Sequence, residues 1–335
     1  GLLYLMYCPP LSRFQSEPRE KLYREGCDRL AELDARLTSP VPSRTSSPWP
    51  GQATFVPGQS RDAYKARVRQ CQEYIAAGDI YQANLSHRFT LDLGIAASNA
   101  EAEGYATDLY GRLRRINPSP FAGFMRSNDL SLVSCSPERL VQLTGTQASA
   151  RPIAGTRPRG AGLEQDRRLR AELVASPKER AEHVMLVDLE RNDLGKVCRY
   201  GSVQVDEFMT VERYSHVSHL VSDVTGTLQP GTSPLDLVKA VFPGGTITGV
   251  PKLRCMEIIE ELEPVRRGLY TGSLGYFSWS GDLYLNILIR SLVLTKNGGY
   301  LQVGAGIVAD SDPDREYDET LAKAGAFFSI LEAGN

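Results

Sequence analysis

The chain has 335 residues, of which 41% are hydrophobic and 23% are charged, and its formal net charge at pH 7 is −2. These values indicate a soluble globular protein of one large or two ordinary domains. They exclude the basic character that nucleic-acid binding usually requires. No apolar run approaches the roughly 20 residues of a membrane-spanning helix, and the six scattered cysteines form no CxxC pair. We therefore expect a cytoplasmic protein with reduced thiols, and we interpret the start GLLYLMYCPP as the cut end of a longer chain.

The N-terminal part of the sequence combines a helix with an irregular segment. Leucines spaced among charged residues predict a helix over residues 16–36. Residues 37–58 are rich in Pro, Ser and Gly, which predicts a linker or an irregular surface crossing. The next helix is predicted to begin at Arg61 and to be closed by Gly78.

Short strand patterns follow. Residues 80–93 and 131–143 each predict one strand, and residues 271–294 predict a hairpin that turns at Ser280-Gly281-Asp282. Residues 316–333 predict a final helix. Because the strands are mostly linked by hairpins, we expect an α+β fold of antiparallel sheets with helices outside.

The stretch RPIAGTRPRG, residues 151–160, is predicted to be a loop, since its glycines and prolines interrupt regular structure. Its fourth residue, Ala154, is conspicuously small among three arginines. The question is what lies against it.

Two helix starts, SPKERAEH and DPDREYDET, share one design. Each has a capping residue, a Pro at the first helical position, and two glutamates three residues apart on one face. Carboxylates of this kind are hard oxygen ligands that suit Mg²⁺, whereas the lack of a His/Cys cluster argues against zinc. A capping or surface glutamate needs no ligand, so a purely structural role for each pair stays open. The glutamates are Glu179 and Glu182 in the first start, and Glu316 and Glu319 in the second.

Three further features favour an anionic ligand. FPGGTITGVPK joins a Gly-rich turn to a helix that is predicted to begin at Pro251, and it lacks the GKS or GKT of a Walker loop. The backbone at Gly304, Ala305 and Gly306 could approach a ligand closely. Arg290, inside the predicted strand NILIRSLVL, needs an anionic partner if buried, and its fork suits a carboxylate. The alternatives are plain tight turns and an edge arginine facing water. A dicarboxylate bound through Mg²⁺ would satisfy all three features together with the glutamates.

The ordered set RPIAGTRPRG, KERAEHVMLVDLERNDLG, ERYSHVSHLVSDVTGTL, FPGGTITGVPK, IRSLVL and GAGIVADSDPDREYDETLAKA resembles the chorismate-utilising enzymes over about residues 60–333. These enzymes make anthranilate, 4-amino-4-deoxychorismate, isochorismate or salicylate. The resemblance implies a complex α/β sandwich of large antiparallel sheets with chorismate and Mg²⁺ in a deep cleft. It also implies a chorismate-binding catalytic domain over residues 60–335, and it makes residues 1–50 a remnant of the N-terminal lobe and linker.

The resemblance also implies roles for individual residues. Glu182 and Glu319 would be the direct Mg²⁺ ligands, with Glu179 and Glu316 beside them. The substrate's pyruvyl-ether carboxylate would be held by a clamp, and two further residues would line the same pocket. The clamp is Arg290, Tyr270 and the backbone of Gly304, Ala305 and Gly306, and the lining residues are Thr246 and Lys323.

Glu138 in SPERL would be the general acid that protonates the departing 4-hydroxyl, which is otherwise a poor leaving group. His219 would lie near the ring, with a packed core imidazole as the alternative. We interpret His183 and His216 as structural.

Two positions bear on the branch of the family. Gln82 stands where the isochorismate and salicylate makers carry a Lys base that activates water, so ammonia becomes the expected nucleophile. Ala154 stands where 4-amino-4-deoxychorismate synthases usually carry a nucleophilic Lys, and anthranilate synthases read PIAGT. Thr156 would belong to the rim of the ring pocket.

The surrounding motifs look more like the 4-amino-4-deoxychorismate (para-aminobenzoate and folate) branch; they are YQANLSHRF, NPSPFAGFM, FPGGTITG and LYLNILIRSL. We therefore favour that branch over anthranilate synthase, the tryptophan branch. The resemblance implies that ammonia comes from a separate glutamine amidotransferase subunit in a heterodimer, and no cysteine of this sequence lies in a nucleophile-elbow pattern. A non-catalytic subunit that keeps the fold is the third possibility.

Overall fold

The chain divides into two compact units, Gly1–Ser46 and Ser47–Asn335. The predicted division into residues 1–50 and 60–335 stays a prediction, because part of that boundary lies outside the described residues. The computed structural model describes residues 5–40, 53–94, 98–213 and 217–332.

The first unit is helical in its described part. It contains α1 (Leu11–Ser16) and α2 (Arg19–Thr38), so most of the predicted helix over residues 16–36 is confirmed. Tyr7 lies against Gly26, where a Cβ would come within 2.9 Å of the tyrosine ring.

The second unit contains two large antiparallel sheets and outer helices, as the sequence predicts. The first sheet has the order β1-β2-β14-β13-β4-β3, with β10 paired to β2. The second has the order β11-β12-β5-β6-β9-β7, with β8 paired to β9. In chain order the strands are β1 (Thr54–Pro57), β2 (Gln82–Asp92), β3 (Phe121–Ser127), β4 (Leu130–Ser136), β5 (Arg139–Thr144), β6 (Gln147–Ala150), β7 (Ile153–Pro158), β8 (Gln204–Arg213), β9 (Val217–Thr227), β10 (Gly249–Val250), β11 (Gly275–Phe277), β12 (Leu283–Asn286), β13 (Ser291–Thr295) and β14 (Gly298–Ile307).

The helices of this unit pack their apolar faces on the sheets. Leu109 and Phe327 are fully buried in the core beside the first sheet, and Leu194 and Leu237 are fully buried beside the second. None of the described helices is long and apolar enough to span a membrane. The helices are α3 (Arg61–Ala76), α4 (Asn99–Ile116), α5 (Leu163–Ala175), α6 (Pro177–Gly195), α7 (Pro234–Val241), α8 (Lys252–Leu262) and α9 (Pro313–Glu332), with a short 3₁₀ turn at Gly245–Ile247.

The segment predicted as one strand over residues 131–143 is in fact two strands. Pro137 interrupts the pairing, so β4 ends in the first sheet and β5 begins in the second. Proline has no N–H to donate to a ladder, which explains the break. Glu138 therefore lies where the chain crosses between the sheets.

A second crossing corrects the prediction for Arg290. This residue is not inside a strand but in the break between β12 and β13, with φ of 49°. The two crossings are hydrogen-bonded: Cys135 N donates to Arg290 O at 3.0 Å, and Ile287 N donates to Glu138 O at 3.1 Å. The candidate acid and the candidate anion-binding arginine are thus held side by side.

Three other predictions need correction. RPIAGTRPRG is not a loop: it includes β7, a strand that pairs with β9 and has a bulge around Gly155, whose φ is 76°. Of the predicted irregular segment over residues 37–58, residues 41–52 lie outside the described residues, and the described end forms the edge strand β1. Pro251 is the N-cap of α8 and not its first residue.

Candidate functional site

All the predicted site residues except Ala305 line one cavity of about 640 Å³ in the second unit. The Ala305 side chain is buried in the core that β2 and β14 share with α3 and α8. Its neighbours on β14 point the other way, since alternate residues of a strand face opposite sides. The predicted residues that line the cavity are Gln82, Glu138, Ala154, Thr156, Glu179, Glu182, His219, Thr246, Tyr270, Arg290, Gly304, Gly306, Glu316, Glu319 and Lys323.

One end of the cavity is acidic, and it is built from the first turns of α6 and α9. Ser176 caps α6 and accepts a hydrogen bond from Glu179 N at 3.4 Å. Asp312 caps α9 by accepting the amides of the second and third helical residues at 3.0 and 2.9 Å. The two caps fix where the helices begin and so aim Glu182 and Glu319 at the same space.

Burial raises the pKa of Glu182, and the neighbouring Glu179 carboxylate acts in the same direction. Glu182 accepts a hydrogen bond from Gln82 Nε2 at 3.3 Å. Glu179 forms an ion pair with Arg157 at 3.0 Å, and Glu319 forms one with Lys323 at 2.8 Å.

Burial also raises the pKa of Glu316, with Glu319 contributing. This surplus of carboxylate oxygens at one end of a cavity fits a hard divalent cation. The described residues contain no group of three His, Cys, Asp or Glu side chains already gathered to hold a metal ion. The four glutamates therefore provide the donor types for Mg²⁺, and their role as its ligands stays a proposal.

The Glu138 carboxyl is buried at the crossing between the sheets, with 6% of the residue exposed. Burial raises its pKa to about 7, although Thr246, Arg290 and Lys323 each act to lower it. Thr246 Oγ1 is buried with no partner in full hydrogen-bond geometry, and it lies beside this carboxyl. Glu138 can therefore hold a proton near neutral pH, as a general acid must.

The same cavity also contains cationic groups and hydrogen-bond donors. Arg290 is partly buried, and burial lowers the pKa of its guanidinium. Lys323 Nζ donates to Gly304 O at 2.9 Å. The buried Tyr270 hydroxyl lies close to the same strand.

The glycines of β14 are required by close packing. A Cβ on Gly304 would lie 2.4 Å from Asn84 Oδ1 and 2.8 Å from Tyr270 Oη. A Cβ on Gly306 would lie 2.6 Å from Gln82 Nε2. These contacts are with side chains of the same unit, and close approach of this backbone to a ligand stays a prediction.

Ala154 lies on β7 in the wall of the cavity. The space against its short side chain is therefore cavity space and not another packed side chain. Beside it, Thr156 Oγ1 lies 2.9 Å from His219 Nδ1. Burial lowers the pKa of His219 to about 4, so the imidazole is neutral at physiological pH. His183 is buried with Nε2 2.6 Å from Ser222 Oγ, and His216 lies outside the described residues.

Sequence reasoning missed several lining residues. Asn84 follows Gln82 by two positions on the same strand face, so strand alternation alone could have found it. Its Oδ1 is buried without a partner. Lys178 and the loop at residues 117–120 also line the cavity; both lie in motifs quoted above, but no site role was assigned to them. Gln302 lines it as well, and no local pattern distinguished that residue.

The sequence profile of the family described as chorismate binding enzyme matches residues 10–329. The chain belongs to this family. The match includes every residue of the cavity named above, so the family assignment and the geometry concern the same part of the molecule.

Two relatives carry different names. An anthranilate synthase component I-like protein from Synechocystis sp. is 56% identical over 305 residues, which is 91% of this chain and 61% of that protein. Aminodeoxychorismate synthase component 1 from Bacillus subtilis is 47% identical over 306 residues, covering 91% of this chain and 63% of that protein. The chain thus spans less than two thirds of the length of these relatives.

A solved structure has the same fold. Anthranilate synthase component I from Streptococcus pneumoniae TIGR4 aligns with a TM-score of 0.78 and 36% sequence identity, over 92% of this chain and 66% of that one. The predicted sandwich of antiparallel sheets is confirmed.

Proposed function

We propose that the chain is the catalytic part of an enzyme that aminates chorismate in a Mg²⁺-dependent reaction, with 4-amino-4-deoxychorismate as product. One observation carries the proposal: one cavity combines a buried acid of raised pKa, an arginine close to it, and four glutamates. That arrangement matches a dicarboxylate substrate whose hydroxyl must leave.

Each group of residues has its own role in the proposed reaction. Arg290 and the backbone around Gly304 bind the pyruvyl-ether carboxylate, and Tyr270 positions it. Protonated Glu138 donates its proton to the departing 4-hydroxyl, which leaves as water. When bound by Glu182 and Glu319, Mg²⁺ supplies a Lewis acid that neutralises a substrate carboxylate. Ammonia, and not water, is the nucleophile, because Gln82 offers no base to activate water.

The para product is favoured by the motifs around the cavity, and the Bacillus subtilis relative carries the corresponding name. A glutamine amidotransferase partner would supply the ammonia. Anthranilate is the second candidate product, and the presence of Ala154 in the cavity wall favours it, since no lysine at that position can act as the nucleophile.

The test is to incubate the purified chain with chorismate, Mg²⁺ and a high concentration of ammonium, and to identify the product by chromatography and mass. A stable 4-amino-4-deoxychorismate, converted to 4-aminobenzoate only after a lyase is added, supports the proposal. Anthranilate together with pyruvate would assign the chain to the other branch. A folded chain that consumes no chorismate would favour a non-catalytic subunit.

A further inference from the structure

The turn Gly245–Ile247, which carries Thr246 into the cavity, is fixed from behind by several contacts. Lys252 Nζ donates to Val241 O at 2.9 Å and to Pro243 O at 2.8 Å, and it forms a buried ion pair with Asp193. The other anchors are Thr248 Oγ1 to Gly244 O at 2.8 Å, Asn84 Nδ2 to Thr246 O at 3.3 Å, and Arg267 Nη1 to Ile247 O at 2.7 Å.

The backbone amide at the start of this turn faces Glu190 on α6. The Gly245 N–H lies near the Glu190 carboxyl and acts to lower its pKa. The helix packs so closely that a Cβ on Gly245 would lie 2.2 Å from Leu189 Cδ2 and 3.6 Å from Glu190 Oε1. Glu190 therefore touches the turn on the side away from the cavity, whose lining does not include it.

Glu190 is a buried acid that the proposed reaction does not use. The residue is 6% exposed, and its Oε2 has no hydrogen-bond partner. Burial raises its pKa to about 8, and the Asp193 carboxylate acts in the same direction. Lys252 acts to lower the pKa of Glu190, and the Glu138 carboxylate acts to raise it. At neutral pH the group is thus an uncharged acid whose Oε1 lies on the Gly245 side.

We propose that Glu190 is a positioning residue for the general acid: it holds Gly245 N–H and so keeps Thr246 Oγ1 beside the Glu138 carboxyl. Thr246 connects the two, because it follows Gly245 in the turn and its side chain lies beside the Glu138 carboxyl. The inference rests on the proposed function, since it takes Glu138 as the acid.

The experiment compares Glu190→Leu, which removes the acceptor, with Glu190→Gln, which keeps an oxygen acceptor of the same length. Leu194→Ala, a fully buried position on the same helix, is the matched control for lost packing. Two quantities are measured: kcat and KM for chorismate with ammonium, and the titration of Glu138 followed by ¹³C NMR of labelled glutamate carboxyls without substrate.

We expect Glu190→Leu to lower kcat by about tenfold with little change in KM, because a misplaced proton donor affects the chemical step more than binding. The pKa of Glu138 should rise, since Thr246 acts to lower it. Glu190→Gln should recover most of the lost kcat. Leu194→Ala should change neither kcat nor the titration.

A Glu190→Leu variant with normal kcat and an unchanged Glu138 titration would overturn the proposal. If that variant does not fold, Glu190→Asp, whose carboxyl is one methylene short of Gly245, should show the same two changes in smaller degree, and wild-type values for it would overturn the proposal equally. Failure of the proposed function can be told apart from failure of the positioning role of Glu190. A wild-type chain without chorismate turnover contradicts the proposed function, whereas the Glu138 titration alone still decides whether Glu190 positions the acid.

Discussion

Replacing Glu138 by Gln tests the acid and its burial in one experiment. The carboxyl has a pKa of about 7, against an ordinary 4.5, and burial is the main cause. Each unit of difference corresponds to about 1.4 kcal/mol, so ionising this group in the folded protein costs about 3 kcal/mol more than in the unfolded chain.

The direction of the pH effect on stability follows from the raised pKa of Glu138. The folded state binds the proton more tightly than the unfolded state, so the favourable contribution is complete below pH 4.5 and is lost as the pH rises through 7. Glutamine is never ionised. Between about pH 5 and pH 8.5, the stability of Glu138→Gln relative to wild type should therefore increase by about 2.5 kcal/mol, measured by urea unfolding at both pH values.

The same Glu138→Gln substitution should lower the rate of chorismate turnover, although it raises stability at high pH. Loss of a general acid lowers kcat by about 100-fold or more. In the wild type, turnover should fall as the pH rises through about 7, because only protonated Glu138 can donate. Glu260→Gln, whose side chain is 67% exposed, is the control and should change neither quantity. A Glu138→Gln variant with normal turnover would contradict the acid role of Glu138, and a stability difference that does not depend on pH would contradict its raised pKa.

Three further variants test the rest of the site. Glu182→Ala should abolish the Mg²⁺-dependent turnover of chorismate, and unchanged turnover would contradict the metal assignment. Ala154→Lys should leave the para product in place and suppress any anthranilate, which chromatography of the products will measure; increased anthranilate would contradict our reading of this position. Gly155→Ala should lower stability by about 1–3 kcal/mol in urea unfolding, because φ is 76° and the new Cβ would lie 2.9 Å from Leu173; wild-type stability would show that the bulge tolerates a side chain.

Local sequence patterns predicted the elements that local chemistry specifies. Helices α6 and α9 begin where Ser176 and Asp312 cap them, because a cap, a proline and a glutamate within four residues act on the same turn. The antiparallel sheets followed from hairpin-linked strands. The glutamates, Arg290 and Glu138 were placed in one site by resemblance, and the cavity brings them together.

The sheet crossings could not be predicted locally. The run over residues 131–143 alternates like one strand, and nothing in that alternation says that its halves pair with different partners. The same holds for NILIRSLVL, where Arg290 lies in the break. In RPIAGTRPRG the prolines suggested a loop, but they are tolerated because β7 is an edge strand. Glu190 was missed because its partner is a backbone amide 55 positions away in sequence (245 − 190).

The position of α9 determines when the molecule becomes competent during its synthesis. Every strand of both sheets ends by Ile307, so the sheets can pair before this helix is made. Glu316, Glu319 and Lys323 all belong to α9, which packs on β14 and α3. The cavity thus gains its last wall only after α9 has left the ribosome and docked. A chain that stops before α9 would retain the strands of both sheets and lack half of the glutamates, so the sheets can be complete before a substrate can be held.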